Sequence, residues 1–219
     1  MSLGRRLAAE ALGTAFLLAV IVGSGITGEK LAGGSIALAL LANSIATGLG
    51  LSVLILAFGP VSGAHFNPIV TIAGAFQRDA SWKLALLYIV MQMVGAFAGV
   101  AATHLMFGEA LFSAATQVRA GPELWWSEFI ATFGLLMVIL GCSRSKPASV
   151  PFAVGAYIAA AYWFTSSTSL ANPTVTLARS VTNTFTGIRP ADTPYFIVAQ
   201  ILGGLFALIL ARWLFVPRP

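Results

Sequence analysis

Two segments of the sequence, residues 62–77 and 167–182, combine residue types that could bind and orient a small polar solute. They read SGAHFNPIVTIAGAFQ and STSLANPTVTLARSVT, and they align without gaps at an offset of 105 residues. Each contains an Asn-Pro pair, Asn67 with Pro68 and Asn172 with Pro173. Asn is a favoured helix N-cap and Pro needs no N–H at the first helical position, so each segment is predicted to begin a helix at its Asn.

These two helices have the length and polarity to form a pore for uncharged solutes. About ten helical residues span about 15 Å, which is half the hydrocarbon thickness of a bilayer. If the two N-termini meet, their positive dipole ends repel cations at the membrane centre. Each capping Asn still offers an amide NH2 to a passing hydroxyl group or water molecule. The pattern therefore favours passage of neutral polar molecules.

The elements around these segments must lie in a membrane. The chain has 219 residues, of which 58% are hydrophobic and 9% are charged, whereas a soluble domain carries about 25% charge. Apolar runs, most of them of bilayer length, occur at residues 7–27, 35–58, 84–105, 124–142, 149–164 and 195–211, and the shorter fifth run can be extended by its flanks. The runs are continuous rather than alternating, which excludes a β-barrel. We therefore predict an all-α membrane protein with six transmembrane helices and two re-entrant half-helices.

The basic residues predict how the chain is oriented. One set of helix ends carries Arg5, Arg6, Arg78, Lys83, Arg144, Lys146, Arg212 and Arg218. The opposite set carries fewer, namely Lys30, Arg119, Arg179 and Arg189. The positive-inside rule then predicts that both termini lie in the cytoplasm. The protein is expected in the inner membrane of the cell. The excess charge is explained by topology, so the expected partner is the lipid bilayer and no nucleic acid is expected.

The chain is predicted to be one channel domain, residues 1–219, built from a duplication. YIVMQMVG from Tyr88 is echoed by FIVAQILG from Phe196, at an offset of 108 residues. Each unit, residues 1–110 and 118–219, contains an odd number of spans, so the two repeats are inverted. Inverted repeats place their site near the midplane, where the discontinuous helices meet.

Four buried polar residues are predicted to support the half-helices. Glu10 and Glu128 lie a few residues inside the first and fourth spans, and Gln92 and Gln200 occupy matched positions. Their side chains can satisfy backbone N–H groups that lipid cannot. The alternative is that the two carboxylates relay protons in an ion-coupled transporter. Such a relay would need a series of acidic or His residues that continues across the membrane. No metal, cofactor or catalytic residue is predicted, since the spans contain no nucleophile and base pair or ligand cluster.

The six spans, the SGAHFNP and LANP segments and the repeated Glu and Gln residues together resemble the aquaporin, or major intrinsic protein, family. The resemblance covers essentially the whole chain. It implies a homotetramer with one pore per subunit and passive flow of water or small uncharged solutes. It also implies that His65 faces the cytoplasmic vestibule.

The sequence departs from the family in the third residue of each motif and in the selectivity filter. The third residue is usually Ala, whereas it is Ile69 in one segment and Thr174 in the other, so the narrow central region is expected to differ in packing and polarity. The family's spacing assigns the filter to Thr47, Ala160, Ser169 and Val175. Val175 stands where the family normally has an arginine, so we expect a wide filter without arginine or aromatic rings. Such a filter resembles that of the bacterial, arsenic-resistance-associated aquaglyceroporins, which implies passage of glycerol and of metalloid hydroxides such as arsenous acid. An ordinary water and glycerol channel is the alternative.

Arg179 could substitute for the missing arginine. It follows Val175 by one helical turn, about 6 Å nearer the outside. We expect Arg179 to be a charged residue of the vestibule or the surface. The alternative is that Arg179 is part of the filter.

Overall fold

The computed structural model describes residues 1–215, and Arg218, which was used to predict the orientation, lies outside them. All the regular elements of this described part are helical. The α-helices are α1 (Leu3–Leu31), α2 (Ile36–Ser62), α3 (Pro68–Phe76), α4 (Trp82–Phe107), α5 (Pro122–Ser145), α6 (Val150–Phe164), α7 (Pro173–Arg179) and α8 (Thr193–Leu214).

Six of these helices are long and two are short, which confirms the predicted fold class. Helices α1, α2, α4, α5 and α8 are long and apolar enough to cross a membrane. The remaining long helix, α6, has 15 residues and follows a 3-10 turn at Pro147–Ser149. The two short helices, α3 and α7, begin at the Asn-Pro pairs and contain 9 and 7 residues. They are short enough to enter the membrane without crossing it.

The helices pack as two similar groups. Helix α1 contacts α2 and α4, whereas α5 contacts α6 and α8, and the contact of α2 with α6 joins the groups. Glycines allow close crossings: a Cβ atom at Gly95 would collide with the backbone of Ala11, and one at Gly203 with the backbone of Phe129. Small residues let membrane helices approach closely, so these contacts fix how α4 crosses α1 and how α8 crosses α5.

The outer surface of the bundle is apolar. Large side chains such as those of Leu49, Leu86, Phe206 and Trp213 are exposed. The buried polar side chains instead lie between the helices and around α3 and α7. This distribution is the one expected when lipid rather than water is the solvent, because polar groups must then find partners inside the protein.

Candidate functional site

Both short helices begin at the predicted asparagines. The side-chain oxygen of Asn67 accepts a hydrogen bond from the N–H of Ile69 at 2.9 Å. The side-chain oxygen of Asn172 accepts bonds from the N–H groups of Thr174 at 3.0 Å and Val175 at 3.4 Å. Each cap satisfies backbone donors that would otherwise lack a partner inside the membrane.

The two caps also hold each other. The Asn67 amide Nδ2 donates to the carbonyl oxygen of Ala171 at 2.8 Å, and the Asn172 Nδ2 donates to the carbonyl oxygen of Phe66 at 2.7 Å. Phe66 and Ala171 have φ angles of 48° and 47°, in the left-handed region. Because these bonds join the two helix starts, the positive ends of α3 and α7 meet. Each amide has a second N–H that is left for a solute.

The buried Glu10 carboxylate holds the backbone that leads into α3. Its Oε1 accepts hydrogen bonds from the Ser62 hydroxyl at 2.6 Å and from the His65 N–H at 3.0 Å. Its Oε2 accepts from the Phe66 N–H at 2.9 Å and from Gln92 Nε2 at 2.8 Å. One carboxylate thus satisfies four donors in a region that lipid surrounds.

Glu128 holds the backbone that leads into α7 in a similar way. Its carboxylate oxygens accept hydrogen bonds from the N–H groups of Leu170 at 2.8 Å and Ala171 at 2.9 Å. Gln200 Nε2 donates to the same carboxylate at 2.7 Å. The two acidic residues therefore make matched contacts in the two groups of helices.

The two glutamines tie each half-helix to the span that follows it. Gln92 Nε2 donates to the Thr71 hydroxyl oxygen at 2.9 Å, and Gln200 Nε2 donates to that of Thr176 at 2.9 Å. Thr71 lies on α3 and Thr176 on α7. These bonds connect α3 with α4 and α7 with α8.

A cavity of about 100 Å³ runs along both half-helix starts. Its walls come from α1, α2, α5 and α6 and from the backbone before each Asn. The predicted site residues that line it are Thr47, His65, Asn67, Ser169, Asn172 and Val175. The cavity thus brings together the capping amides and three of the four predicted filter residues.

The remaining motif residues pack behind the cavity. Ile69 contacts a core cluster that contains Leu136 and Ala207. The Thr174 hydroxyl is fully buried and lies 3.4 Å from the Met93 sulfur. Pro68 and Pro173 occupy the first positions of α3 and α7.

The structure contradicts the prediction for Ala160. This residue is exposed on the outer side of α6, whereas Ile158 and Tyr162 of the same helix line the cavity. Each residue rotates a helix by about 100°, so a residue two positions from a lining residue points away from it. The Tyr162 hydroxyl donates to the Thr47 hydroxyl oxygen at 3.2 Å. The expectation that no aromatic ring reaches this region is therefore also wrong.

Arg179 is not a surface charge. Only 2% of the residue is exposed, and it lines the cavity. Its Nε donates to the carbonyl oxygen of Thr186, in the connection between α7 and α8. A location in the vestibule is compatible with this position at the cavity. The interpretation of Arg179 as an exposed surface charge is wrong, because the chain after α7 folds over the guanidinium.

Arg119 contacts the site although its sequence pattern does not predict this. This residue lies in the connection between α4 and α5, and its Nε donates to the Gly187 carbonyl oxygen at 2.8 Å. Its Nη1 lies 3.2 Å from the carbonyl oxygen of Ser167 and 3.3 Å from the Thr168 hydroxyl. Burial and the charge of Arg179 lower the pKa of Arg119 to about 9. No periodic pattern marks such a loop residue, so only its basic charge could have suggested a role.

His65 lies at the cavity beside α3. Its Nδ1 is 3.2 Å from the Thr71 hydroxyl oxygen, and its ring packs edge-on against Tyr88 with 5.4 Å between ring centroids. The ring nitrogen Nε2 is near Gly63, where a Cβ atom would approach to 3.2 Å. The imidazole is thus held by neutral groups at the cavity wall.

The described residues contain no group of three or more His, Cys, Asp or Glu side chains that could hold a metal ion. The polar groups at the cavity are amides, hydroxyls, backbone groups, one imidazole and one guanidinium. Such groups can hydrogen-bond a solute along a path. Together with the spanning helices, they define a membrane channel.

Comparisons with known proteins agree with this class. Residues 1–169 match the model of the family described as "Major intrinsic protein". The chain is 51% identical over 218 residues to "Aquaglyceroporin AqpS" of Rhizobium meliloti (strain 1021), covering 99% of this chain and 93% of that protein. It is 31% identical over 201 residues to the "Probable glycerol uptake facilitator protein" of Thermotoga maritima, covering 78% and 83% of the two chains. The chain belongs to the major intrinsic protein, or aquaporin, family.

A solved structure shows the same fold. The aquaglyceroporin from Plasmodium falciparum superposes with a TM-score of 0.71 at 21% sequence identity, covering 97% of this chain and 95% of that one. The protein is therefore a multi-pass membrane channel for small neutral solutes and not an enzyme.

Proposed function

We propose that the protein is a passive channel that conducts glycerol-like solutes and neutral metalloid hydroxides, such as arsenous acid, as well as water. The observation that carries this proposal is the small side chain of Val175 in the wall of the cavity that Thr47 and Ser169 also line. A valine leaves more space than an arginine would and donates no hydrogen bond. Val175 therefore leaves room for solutes bulkier than water beside the Tyr162 ring and the Arg179 side chain, which also line the cavity.

The hydroxyl groups of the filter suit a polyhydroxylated solute. Ser169 Oγ is buried and has no hydrogen-bond partner within residues 1–215. A buried hydroxyl without a partner is costly, so a passing solute hydroxyl gains a bond there. Arsenous acid and glycerol both present several hydroxyl groups and carry no charge at neutral pH.

Selection for neutral solutes is supported by the meeting of α3 and α7. Both helix N-termini and both Asn amides lie at the cavity. The dipole ends repel cations, and the spare amide N–H groups orient an uncharged oxygen. The two relatives described above are an aquaglyceroporin and a probable glycerol uptake facilitator, which also supports a polyol-sized solute.

The test is a size series of neutral solutes in vesicles that contain the purified protein. Water, glycerol and arsenous acid are expected to cross faster than in protein-free vesicles, without saturation and without an ion gradient. The variant Ala160→Ser is the control, because position 160 is exposed and its flux is expected to be unchanged. Flux equal to that of protein-free vesicles for every solute would refute the proposal.

Two other outcomes would change it. Water and glycerol flux without arsenous acid flux would favour an ordinary water and glycerol channel. Uptake that depends on a proton or sodium gradient would favour an ion-coupled transporter instead.

We further propose a homotetramer in the inner membrane, with both termini in the cytoplasm and with residues 1–110 and 118–219 as the inverted repeats. The apolar outer surface and the basic N-terminal residues Arg5 and Arg6 support this arrangement. Native mass spectrometry tests the assembly, and labelling of a cysteine added at Ser2 in intact cells tests the orientation.

A further inference from the structure

Two guanidinium groups, one in the cavity wall and one behind it, bind to the same loop. Arg179 Nε donates to the carbonyl oxygen of Thr186, and Arg119 Nε donates to that of the next residue, Gly187, at 2.8 Å. Arg179 lines the cavity, while Arg119 stands behind it against the backbone of Ser167. Consecutive carbonyls thus anchor two positive charges to one loop.

The described chain offers no acidic partner to these two arginines. Its ion pairs join Lys30 with Glu109 and Arg189 with Asp192. The Glu128 carboxylate accepts its hydrogen bonds from two backbone N–H groups and a glutamine instead. Glu128 attracts both guanidinium groups through space but forms no ion pair with either. Two positive charges therefore share one carboxylate, and a buried charge that is not fully compensated is unfavourable, so this end of the cavity attracts an anion.

Free donors are also present at this place. The only hydrogen bond of the Arg179 side chain within residues 1–215 uses Nε, so its Nη groups have no protein partner there. Ser169, which lines the same cavity, is 3% exposed and has an unpartnered hydroxyl in the described part of the chain. A planar guanidinium fork and a hydroxyl suit the two oxygens of a carboxylate or similar oxyanion.

We propose that a small singly charged oxyanion binds in the cavity at Arg179, with Arg179 and Ser169 donating hydrogen bonds and Arg119 adding a second positive charge. This site goes beyond the proposed conduction of neutral solutes. Burial first, and then the positive charge of Arg179, lower the pKa of Arg119, and a bound anion would oppose both effects. Because the anion occupies the cavity, it is expected to slow neutral solutes.

Binding is tested directly on the purified full-length protein in detergent. Sodium formate, at constant ionic strength against sodium chloride, is expected to raise the Tm with increasing concentration. Formamide has a similar shape but no charge, so it is expected to leave the Tm unchanged. Arg179→Gln is expected to weaken formate binding at least about tenfold, since it removes charge-assisted hydrogen bonds.

Two further variants separate the site from general charge effects. Arg119→Gln removes the second charge and is expected to weaken formate binding less than Arg179→Gln does. Lys30→Gln removes a positive charge from an exposed ion pair and is expected to bind formate like the wild type. If Arg179→Gln does not fold, the comparison of Arg119→Gln with the wild type serves as the test. The proposal is overturned if formate does not raise the wild-type Tm, or if the folded arginine variants respond as the wild type does.

Vesicles supply a second readout. Formate is expected to slow glycerol flux through the wild type and Lys30→Gln but not through Arg179→Gln. Unchanged glycerol flux in the wild type at saturating formate would refute binding inside the conducting path. Absence of glycerol flux without formate would refute the proposed function, whereas the Tm experiment would still decide whether the oxyanion binds.

Discussion

The re-entrant segments before and within α3 and α7 share their backbone supports, but they present different side chains to the cavity. In both segments a buried glutamate accepts backbone N–H groups and a capping Asn contacts the opposite segment. At aligned positions, however, Gly74 corresponds to Arg179, and His65 corresponds to Leu170. The shared positions build the fold, and the differing ones make one end of the cavity cationic.

The residues that contact these two segments from outside show a similar difference in charge. The Ser62 carbonyl oxygen accepts a hydrogen bond from the Tyr88 hydroxyl at 2.8 Å, and the aligned Ser167 carbonyl oxygen accepts one from Arg119 at 3.2 Å. The aligned carbonyl oxygen thus accepts its hydrogen bond from a neutral phenol in one segment and from a charged guanidinium in the other. Arg6 is held outside that phenol, with its Nε 2.8 Å from the Tyr88 oxygen. Two segments with similar backbone contacts can therefore place different charges at the two ends of the cavity.

The largest effect is expected from the shared carboxylates. Glu10→Gln replaces an acceptor by a donor facing N–H groups, at a cost to folding of about 3 kcal/mol, against about 2 kcal/mol for Glu128→Gln. Glu10 ranks first because it also accepts the Ser62 hydroxyl. Thermal unfolding in detergent measures both, with the exposed Glu29→Gln as control. A larger loss for Glu128→Gln would show that the two supports are not ranked by their hydrogen bonds.

The next effect concerns Val175 in the second segment. Val175→Arg is expected to reduce glycerol permeability about tenfold and water permeability less, because a guanidinium narrows the opening. Val175→Leu adds volume without charge and serves as the control. Stopped-flow light scattering gives both permeabilities. An equal reduction for the two solutes would show that Val175 does not set the size limit.

A smaller effect is expected from the phenol in the first segment. Tyr88→Phe leaves the buried Ser62 carbonyl oxygen without that donor, which costs about 1 kcal/mol of folding stability. Tyr195→Phe, on an exposed face of α8, is the control and is expected to change the Tm little. If both variants unfold alike, the bond from Tyr88 contributes nothing to the support of this segment.

The smallest effect is expected where the segments differ at Gly74. A Cβ atom there would lie 3.2 Å from Cε1 of His65, so the ring must move by a few tenths of an ångström. Gly74→Ala is therefore expected to change glycerol flux by less than about twofold. The exposed Ala160→Ser variant again gives the reference flux. A tenfold loss would mean that the glycine is needed to seat the imidazole.

Much of the fold could be predicted because it depends on local patterns. Apolar runs mark the spans, and each Asn-Pro pair marks a helix start that the structure places at the same residue. The family and the helical membrane fold are confirmed. The Glu10 and Glu128 contacts were accessible to prediction for a related reason: an acidic residue inside a span needs buried donors.

The walls of the cavity were harder to predict. The choice of Ala160 over Tyr162 depended on spacing carried over from the family, and an error of one or two residues turns a side chain to the other face of α6. Arg119 reaches the site from a connection between spans. Loop positions follow no helical period, so their sequence does not indicate which backbone they will contact.

The sequence by itself determined that lipid surrounds this protein, and it determined the helices and the two helix starts at Asn67 and Asn172. These properties follow from hydropathy and from the capping chemistry of neighbouring residues. Only the tertiary structure decided that Tyr162 faces the cavity and that Arg119 and Arg179 share one loop. Those contacts join residues far apart in the chain, and they depend on how each helix is rotated and on where each loop folds back.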